Sequence, residues 1–424
     1  MYLSEIFLQN FKGIKSLNIT FNKGVNLIIG NNGAGKTSLL NGISVALSNM
    51  LRLIPVTTFV NIEQSDVYAE TTRMGDVTSS TEYHTPVRVE AHFNDNNSVY
   101  ACEFVKQTEA SATDVVCFSA LEYMKDLVDQ KQPLPLLNYQ NAGRGSSVVY
   151  DHKTIYGVQA TKRNIDRLAG YNHSFDKTLD FYDIQAWCMQ MELITIQKKK
   201  LIREYSLFKQ IVSSFIRAIE NKSATLDVYY SFDSSSLVYV DGNRELPFYA
   251  LSAGYQNVLC MAMELAYRSA VLNPELSDAK DTEGIVLIDE IEMHLHPAWQ
   301  WKIVGALQNT FPKVQFIIAT HSPIVLSSAK DSSLYLMKSV DEVKILDNVY
   351  GYKINDVLAF SQGSTDMPEE ISAWYDKVEK LLDPYNARGL AELQKDVAAE
   401  YGNDSQVTKS INDFIEVNKW IEEA

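Results

Sequence analysis

The sequence predicts an α/β fold in which a mixed sheet surrounds a phosphate-loop (P-loop) core, with an antiparallel subdomain, a short helical insertion and a helical C-terminal tail. The segment GNNGAGKT (residues 30–37) follows an apolar run that predicts a buried strand, and it precedes a helical pattern. The segment IVLIDE (residues 285–290) is a second apolar run, typical of a parallel strand buried on both faces. Residues 1–21 alternate between apolar and polar side chains, which predicts two strands before the loop.

The segment GNNGAGKT matches the phosphate-loop pattern G-x-x-x-x-G-K-[ST]. Its glycines permit turn conformations closed to other residues, so that backbone amides can point at phosphate oxygens beside a helix N-terminus. Lys36 is expected to reach the β- and γ-phosphates, and Thr37 is expected to place its hydroxyl on Mg²⁺. The predicted ATP-binding residues in and beside this loop are Asn31, Asn32, Gly33, Ala34, Gly35, Lys36, Thr37 and Ser38.

Lys12 lies in the segment FKGIK, upstream of the loop. It is expected either to approach the phosphates or ribose of the nucleotide, or to belong to a plain hairpin. Gln140 ends a further predicted strand, LPLLNYQ, and is our candidate for the glutamine that senses Mg²⁺ and the attacking water. Gln130 and Gln132 are nearby alternatives.

The middle of the chain contains a second group of elements. Residues 50–85 are polar and predict loops, whereas VRVEAHF and SVYACEFV predict a hairpin around the turn NDNN. Residues 151–222 have a helical pattern without sustained heptads, which predicts a short helical insertion rather than a coiled-coil arm. The segments TLDVYYSF and SSLVYV then predict another hairpin.

Ser252 and Gly254, in LSAGYQ, begin a predicted helix over residues 255–270. The N-terminal amides of a helix carry partial positive charge, so this end can bind an anion. In isolation, the segment is explained equally well by an ordinary serine N-cap. Its position 37 residues before Asp289 favours a second function, in which Ser252 and the Gly254 amide bind the γ-phosphate lying on Lys36 of another copy.

Asp289 and Glu290 end the apolar run IVLIDE. Asp289 is expected to hold Mg²⁺ through water, and Glu290 is expected to act as the general base for the attacking water. His321 follows another apolar run, VQFIIAT, 32 residues after Asp289. A neutral histidine offers one donor and one acceptor, so His321 can hydrogen-bond the γ-phosphate and respond to its loss.

His294 and His296 suggest a metal site, but a zinc site usually needs three or four protein ligands. The four cysteines show no paired spacing, so a loop that crosses an interface between two copies is favoured. Pro297 is expected to start the helix after that loop.

The composition limits the class of protein. A chain of 424 residues with 46% hydrophobic residues can build two or three compact units, and its net charge of −15 argues against a protein that coats DNA. Unpaired cysteines, the lack of an ~18-residue apolar stretch and the lack of a signal peptide favour the cytoplasm. Two basic clusters are explained either as solvated helix faces or as nucleic-acid or partner surfaces; they are Lys162, Arg163 and Arg167, and Lys198, Lys199, Lys200 and Arg203.

The order of these motifs resembles the RecF/SMC-like branch of the ABC ATPase superfamily. The segment NFKGIKSLNITF before GNNGAGKTSLL carries the likeness, and the run from IVLIDEIEMHLHPAWQ to ATHSPIVL is similar to OLD-family proteins and the PtuA ATPases of Septu anti-phage systems. Residues 1–150 and 225–365 are expected to form the two halves of an ABC-type ATPase head. Residues 151–224 are expected to form a helical insertion, and residues 366–424 are expected to form an acidic helical accessory or oligomerisation region.

The resemblance implies an ATPase whose heads dimerise around two ATP molecules with Mg²⁺. Regulation needs only bound states that differ in affinity for a partner, so ATP turnover can be slow. It assigns phosphate-loop roles to Lys36 and Thr37, trans-signature roles to Ser252 and Gly254, and Walker B and switch roles to Asp289, Glu290 and His321. The chain shows no Toprim or His-Asn-His nuclease pattern and no long coiled coil.

A compact ATPase that regulates a separate HNH nuclease, as PtuA does, is therefore the favoured function. The alternative is a RecF-like repair ATPase that clamps DNA directly, which needs a strong basic face. A membrane-transport ATPase is disfavoured, because the N-terminal strands and DEIEMHLHP are similar to repair-type heads.

Overall fold

The computed structural model describes residues 1–55, 59–74, 78–95, 98–142, 166–175, 181–200, 202–220, 226–354, 356–357, 369–382, 385–403 and 405–422. These residues form two compact units, Met1–Tyr352 and Lys353–Ala424. The second unit thus begins before residue 366, where the sequence places the start of the accessory region.

A six-stranded sheet forms the centre of the first unit. Its strands, in spatial order, are β16 (Glu342–Leu346), β15 (Ser332–Ser339), β3 (Val25–Gly30), β14 (Lys313–Ala319), β13 (Glu283–Ile288) and β9 (Leu136–Gln140). The five strands from β15 to β9 are parallel, and β16 is antiparallel to β15. All six residues of β3 are buried, as expected for a parallel strand covered on both faces. Parallel pairing brings the carboxyl ends of β3, β9, β13 and β14 to one edge of the sheet.

A second, antiparallel sheet has five strands. In spatial order they are β2 (Ile14–Thr20), β1 (Tyr2–Phe11), β6 (Val87–Asp95), β7 (Ser98–Lys106) and β8 (Thr113–Cys117). The predicted N-terminal strands and the predicted hairpin are therefore present, and burial alternates along β6 as the sequence pattern indicates.

Two small sheets contain the other strands of the described residues. One contains β10 (Leu226–Ser231), β11 (Ser236–Asp241) and β12 (Arg244–Pro247), and the other contains β4 (Ala69–Met74) and β5 (Thr78–Tyr83). The β4–β5 hairpin differs from the prediction of loops for residues 50–85. Its sequence is polar on both faces, so it lacks the alternation that reveals a half-buried strand.

The helices of the first unit are α1 (Lys36–Asn49), α2 (Ser119–Asp129), α3 (Phe181–Lys198), α4 (Arg203–Glu220), α5 (Ala253–Leu272), α6 (Pro297–Gln300), α7 (Ile303–Thr310) and α8 (Pro323–Ser328). Helix α1 packs against strands of both large sheets, and α5 packs against α4 and β9. Helices α3 and α4 lie within residues 151–224, for which the sequence predicts a helical insertion. The predicted helix after Pro297 is divided into α6 and α7, because Lys302 leaves helical geometry with φ −123°.

The second unit is helical, as predicted for the C-terminal tail. It contains α9 (Glu369–Leu382), α10 (Ala387–Tyr401) and α11 (Gln406–Glu422). The three helices share a core made of Val378, Leu382, Leu390, Leu393, Val397, Ile411 and Ile415. Across the described parts of both units, no helix combines the length and the apolar character needed to span a bilayer.

Candidate nucleotide site

The phosphate loop connects β3 to α1. A Cβ on Gly30 would lie 2.4 Å from the carbonyl oxygen of Met337, so only glycine fits there. Gly35 occupies the N-cap of α1 with φ 97°, and no side chain of the described residues caps this end, so the first amides of α1 can bind a ligand. Lys36 is only 7% exposed, and its ammonium donates to the carbonyl oxygens of Gly30 at 2.9 Å and Asn31 at 3.1 Å. The loop has the form of a phosphate cradle with its cation inside.

Oxygen atoms suited to Mg²⁺ meet beside the loop. The hydroxyl of Thr37 donates to Oδ2 of Asp289 at 2.9 Å, and Asp289 is only 4% exposed. The backbone N–H of Asp289 donates to the carbonyl oxygen of Gln140 at 2.9 Å, which fixes the ends of β13 and β9 against each other. Hydroxyl and carboxylate oxygens, completed by phosphates and water, are the ligand set that Mg²⁺ takes in nucleotide sites. The residues present therefore fit the metal.

The charges of other predicted residues act on the pKa of Lys36, and the charge of Lys36 acts on His321. Burial lowers the pKa of Lys36, and the carboxylates of Asp289, Glu292 and Glu290 act in the opposite direction. Burial, and then the positive charge of Lys36, lowers the pKa of His321, while the same three carboxylates raise it. The lowered pKa favours the neutral form of His321, which offers one donor and one acceptor to phosphate.

Glu292 connects the two segments that follow β13 and β14. Its carboxylate accepts from the hydroxyl of Thr320 at 2.7 Å and from the backbone N–H of His321 at 2.5 Å. Glu290, two residues earlier, has φ 48°, a left-handed conformation that is uncommon for a residue with a side chain. This tight turn holds Glu290 at the end of β13 while Glu292 reaches the histidine segment. The sequence analysis did not identify Glu292.

Ser252 and Gly254 lie at the start of α5. Ser252 is the N-cap of α5, and its hydroxyl oxygen accepts from the N–H of Tyr255 at 3.4 Å. A Cβ on Gly254 would lie 2.9 Å from the carbonyl oxygen of His294, so the start of α5 packs closely against that loop. An open pocket of about 690 Å³ is lined by Ser252, Gly254, Tyr255, His294, Leu295, His296 and Trp299. None of the predicted phosphate-loop or metal residues lines it.

Lys12 forms an ion pair with Asp66 at 3.4 Å. Its turn is close to the phosphate loop, because Cγ1 of Val340 lies 3.5 Å from a Cβ position on Gly13 and 3.1 Å from one on Gly35. The ion pair with Asp66 is consistent with a structural role of Lys12 in its hairpin turn. Because this turn is close to the phosphate loop, a contact between Lys12 and the nucleotide stays a proposal.

Gln140 ends β9 and is fully buried, at 0% exposure. Its side-chain amide donates to Asn138 and Glu264, both at 2.8 Å. Glu264 and Arg268, on α5, form a buried ion pair at 2.8 Å. The sequence analysis also missed this pair, although two opposite charges four residues apart in an apolar helical pattern are a signal for it.

The basic clusters have different environments. Residues 198–200 are exposed, at the end of α3. Arg167 donates to two backbone carbonyls, at 3.1 and 2.6 Å, and therefore has a structural role. Lys162 and Arg163 lie outside the described residues.

Comparison with known proteins agrees with this geometry. The model of the family described as RecF/RecN/SMC N terminal domain matches residues 2–344. The retron Vc95 probable ATPase of Vibrio cholerae serotype O1 biovar El Tor is 26% identical, over 93% of this chain and 85% of that protein. The Septu protein PtuA of Bacillus thuringiensis is 26% identical, over 95% of this chain and 99% of that protein.

A solved structure supports the fold. The SmcHead bound to the C-winged helix domain of ScpA is similar at a TM-score of 0.52 and 15% identity, over 82% of this chain and 98% of that chain. The predicted ABC-type head with its mixed sheet is therefore confirmed. The chain belongs to the RecF/RecN/SMC N-terminal domain family and is an ABC-type ATPase.

Proposed function

We propose that the chain is the ATPase subunit of a Septu PtuA-like anti-phage defence system, active in the cytoplasm. Two or more copies associate head to head, with ATP between them. The observation that carries this proposal is the pocket of Ser252 and Gly254, which is lined by none of the residues grouped around Lys36. A complete site then requires two copies. One copy supplies the residues grouped around Lys36, and the other supplies Ser252 and Gly254.

Within one head, the residues have distinct roles. Lys36 and the amides at the start of α1 bind the phosphates. The other predicted loop residues and Ser38 surround the phosphates. Thr37, Asp289 and Gln140 hold Mg²⁺, which supplies charge neutralisation on the phosphates when bound. Glu290 accepts the proton of the attacking water, and neutral His321 hydrogen-bonds the γ-phosphate. Lys12 contacts the nucleotide from the β1–β2 turn.

Glu290→Gln tests the head-to-head association. The variant keeps the phosphate contacts but loses the base, so it should retain ATP and accumulate as a dimer. Sedimentation with ATP and Mg²⁺ is expected to show a dimer that disappears in Glu290→Gln with Ser252→Ala. A monomer in Glu290→Gln at saturating ATP would contradict a role for Ser252 and Gly254 across an interface.

We further propose that the assembly regulates a separate HNH nuclease. Support comes from the relative named Septu protein PtuA, which aligns along 95% of the chain. A regulatory subunit needs only bound states that differ in affinity for the partner, so turnover can be slow. Purification of the chain with its neighbouring gene product, with and without ATP, tests the proposal. A neighbour without a nuclease motif that forms no complex would refute it.

A RecF-like DNA clamp is the second candidate, and the exposed lysines at 198–200 favour it. Binding of duplex DNA to the chain alone should then weaken steeply with salt, and replacement of the three lysines by alanine should reduce the salt dependence. Salt-sensitive binding that is unchanged by this replacement would exclude these lysines as the DNA contact.

A further inference from the structure

The side-chain amide of Gln140 is held in one orientation. Its Nε2 donates to Oδ1 of Asn138 and to Oε2 of Glu264, both at 2.8 Å. Its Oε1 is buried and has no hydrogen-bond partner among the described residues. A buried oxygen without a donor is unfavourable, so such an atom in a native site suggests a ligand. A cation or a water would satisfy it.

The acceptors around Gln140 exclude the reverse orientation. Oε1 of Glu264 already accepts from Nε and Nη2 of Arg268, at 3.0 and 2.8 Å, and from Nδ2 of Asn138 at 3.1 Å. Oε2 of Glu264 and Oδ1 of Asn138 are thereby left facing Gln140. A reversed amide would place oxygen against both of these oxygens. The carboxylate of Glu264 therefore selects which atom of Gln140 faces away from α5.

Arg268 fixes Glu264 in turn. The guanidinium is 0% exposed and donates to the carbonyl oxygens of Gly170 at 2.8 Å, Asn172 at 2.9 Å and His173 at 3.2 Å. A further bond reaches the hydroxyl of Ser174 at 2.8 Å. Arg268 is thus anchored to residues 170–174 and holds the Glu264 carboxylate in place, and a clamped partner preserves the orientation of the group it holds.

The position of Gln140 gives this orientation a chemical meaning. Gln140 pairs with Ile288 across the sheet, and its carbonyl oxygen accepts from the N–H of Asp289 at 2.9 Å. Asp289 is the acid that contacts the hydroxyl of Thr37. Donation from the Gln140 amide to a carboxylate also polarises its C=O group, and a more negative oxygen is a better ligand for a hard cation.

We propose that Glu264, clamped by Arg268, is a positioning residue for ATP hydrolysis that directs Oε1 of Gln140 toward Mg²⁺ and the attacking water. This inference rests on the proposed metal role of Gln140. It also gives α5 two functions, because the helix that presents Ser252 at its start carries Glu264 in its interior.

Glu264→Gln is the discriminating variant. The new side chain can keep its Oε1 bonds to Arg268 and Asn138, so its NH₂ would face the NH₂ of Gln140. Gln140 should then reverse and present NH₂ where Oε1 was. In Glu264→Gln, titration of Mn²⁺ by electron paramagnetic resonance, with a non-hydrolysable ATP analogue, should show about tenfold weaker metal binding, the scale found when a hydrogen-bond partner of a metal ligand is changed. Affinity for the analogue in EDTA should be unchanged.

Glu192→Gln is the matched control. Glu192 is a part-buried glutamate that accepts from the hydroxyl of Tyr205 at 2.7 Å, and it belongs to α3 rather than to this network. This control should bind Mn²⁺ like wild type. Gln140→Met, which removes Oε1 and keeps the length of the side chain, should weaken Mn²⁺ as much as Glu264→Gln. The double variant should be no weaker than Gln140→Met alone.

The outcomes distinguish the positioning role of Glu264 from the metal role of Gln140. Weaker Mn²⁺ binding in Gln140→Met with normal binding in Glu264→Gln, or additive losses in the double variant, would overturn the role of Glu264 alone. Normal binding in both single variants would overturn the metal role of Gln140 as well. Head-to-head dimerisation, measured by sedimentation, is an independent readout in either case.

A measurement on wild type tests the proposal even if Glu264→Gln does not fold. The side-chain NH₂ of Gln140 should show hydrogen-bonded chemical shifts and slow exchange by NMR. Both features should persist when Mg²⁺ and the analogue bind, because the amide keeps its orientation. Loss of the slow exchange on metal binding would contradict a fixed Gln140.

Discussion

Glu292→Ala is expected to destabilise the head and release the histidine segment. In wild type, the Glu292 carboxylate accepts from the hydroxyl of Thr320 and the backbone N–H of His321, at 2.7 and 2.5 Å. Both donors lose their acceptor in the variant. Hydrogen bonds to a charged group contribute about 1.5–3 kcal/mol each.

The exposure of the two donors determines how much of this energy is lost. Thr320 is fully buried, so water cannot replace the carboxylate there. His321 is partly exposed, so water can partly compensate its N–H. The first bond therefore counts nearly in full and the second counts less, which gives an expected loss of about 2–4 kcal/mol in the free energy of unfolding. Glu292→Gln should lose less, because its carbonyl oxygen can still accept from His321.

Urea unfolding, with hydrogen exchange of a peptide spanning residues 313–328, measures the global and local effects. Glu342→Ala is the control, since Glu342 is 62% exposed and pairs with Lys338 on the surface, where such pairs contribute about 0–1 kcal/mol. Faster exchange at His321 should accompany the loss in Glu292→Ala. A variant within about 0.5 kcal/mol of wild type, with unchanged exchange, would refute the reasoning, because ordinary surface substitutions stay in that range.

Two further changes are expected to act on separate parts of the site. Gly254→Ala places a Cβ 2.9 Å from the carbonyl oxygen of His294, so ATP-dependent dimers should be lost in sedimentation while calorimetry shows unchanged ATP binding to the monomer. Dimers of wild-type strength would contradict this. Burial and the charge of Lys36 lower the pKa of His321 below the 6.5 of an unfolded histidine. The unfolded chain thus binds more protons, and wild type should lose stability relative to His321→Asn as the pH falls from about 7 to 5, measured by urea unfolding. A difference independent of pH would argue against a depressed pKa.

The parts of the fold that the sequence predicts well are those whose signals are local. The strand, loop and helix around Lys36 are adjacent in the chain, and the acids at 289 and 290 directly follow the strand that places them. Their geometry is fixed within a few residues, so residue type and spacing suffice.

The partners of these residues were not predicted where they come from distant elements. Glu264 reaches Gln140 across 124 positions, and its charge could equally have been solvated on an exposed helix face. Only the packing of α5 on β9 reveals that it is buried. Glu292 was hidden for a similar reason, because its contact lies in a segment 29 residues later. The β4–β5 hairpin lacks an apolar face and gave no periodic signal.

The arrangement of the central sheet has a consequence for how the protein is made. Strand β3, which ends in Gly30, lies between β14 and β15, and β15 is complete only at Ser339. At ~5–20 residues per second, a ribosome needs roughly 15–60 s to extend the nascent chain from one to the other. Until β14 is complete at Ala319, late in that interval, β3 has neither of its neighbours, so a partly synthesised chain exposes an unpaired apolar strand and cannot yet form the sheet that supports the nucleotide cradle.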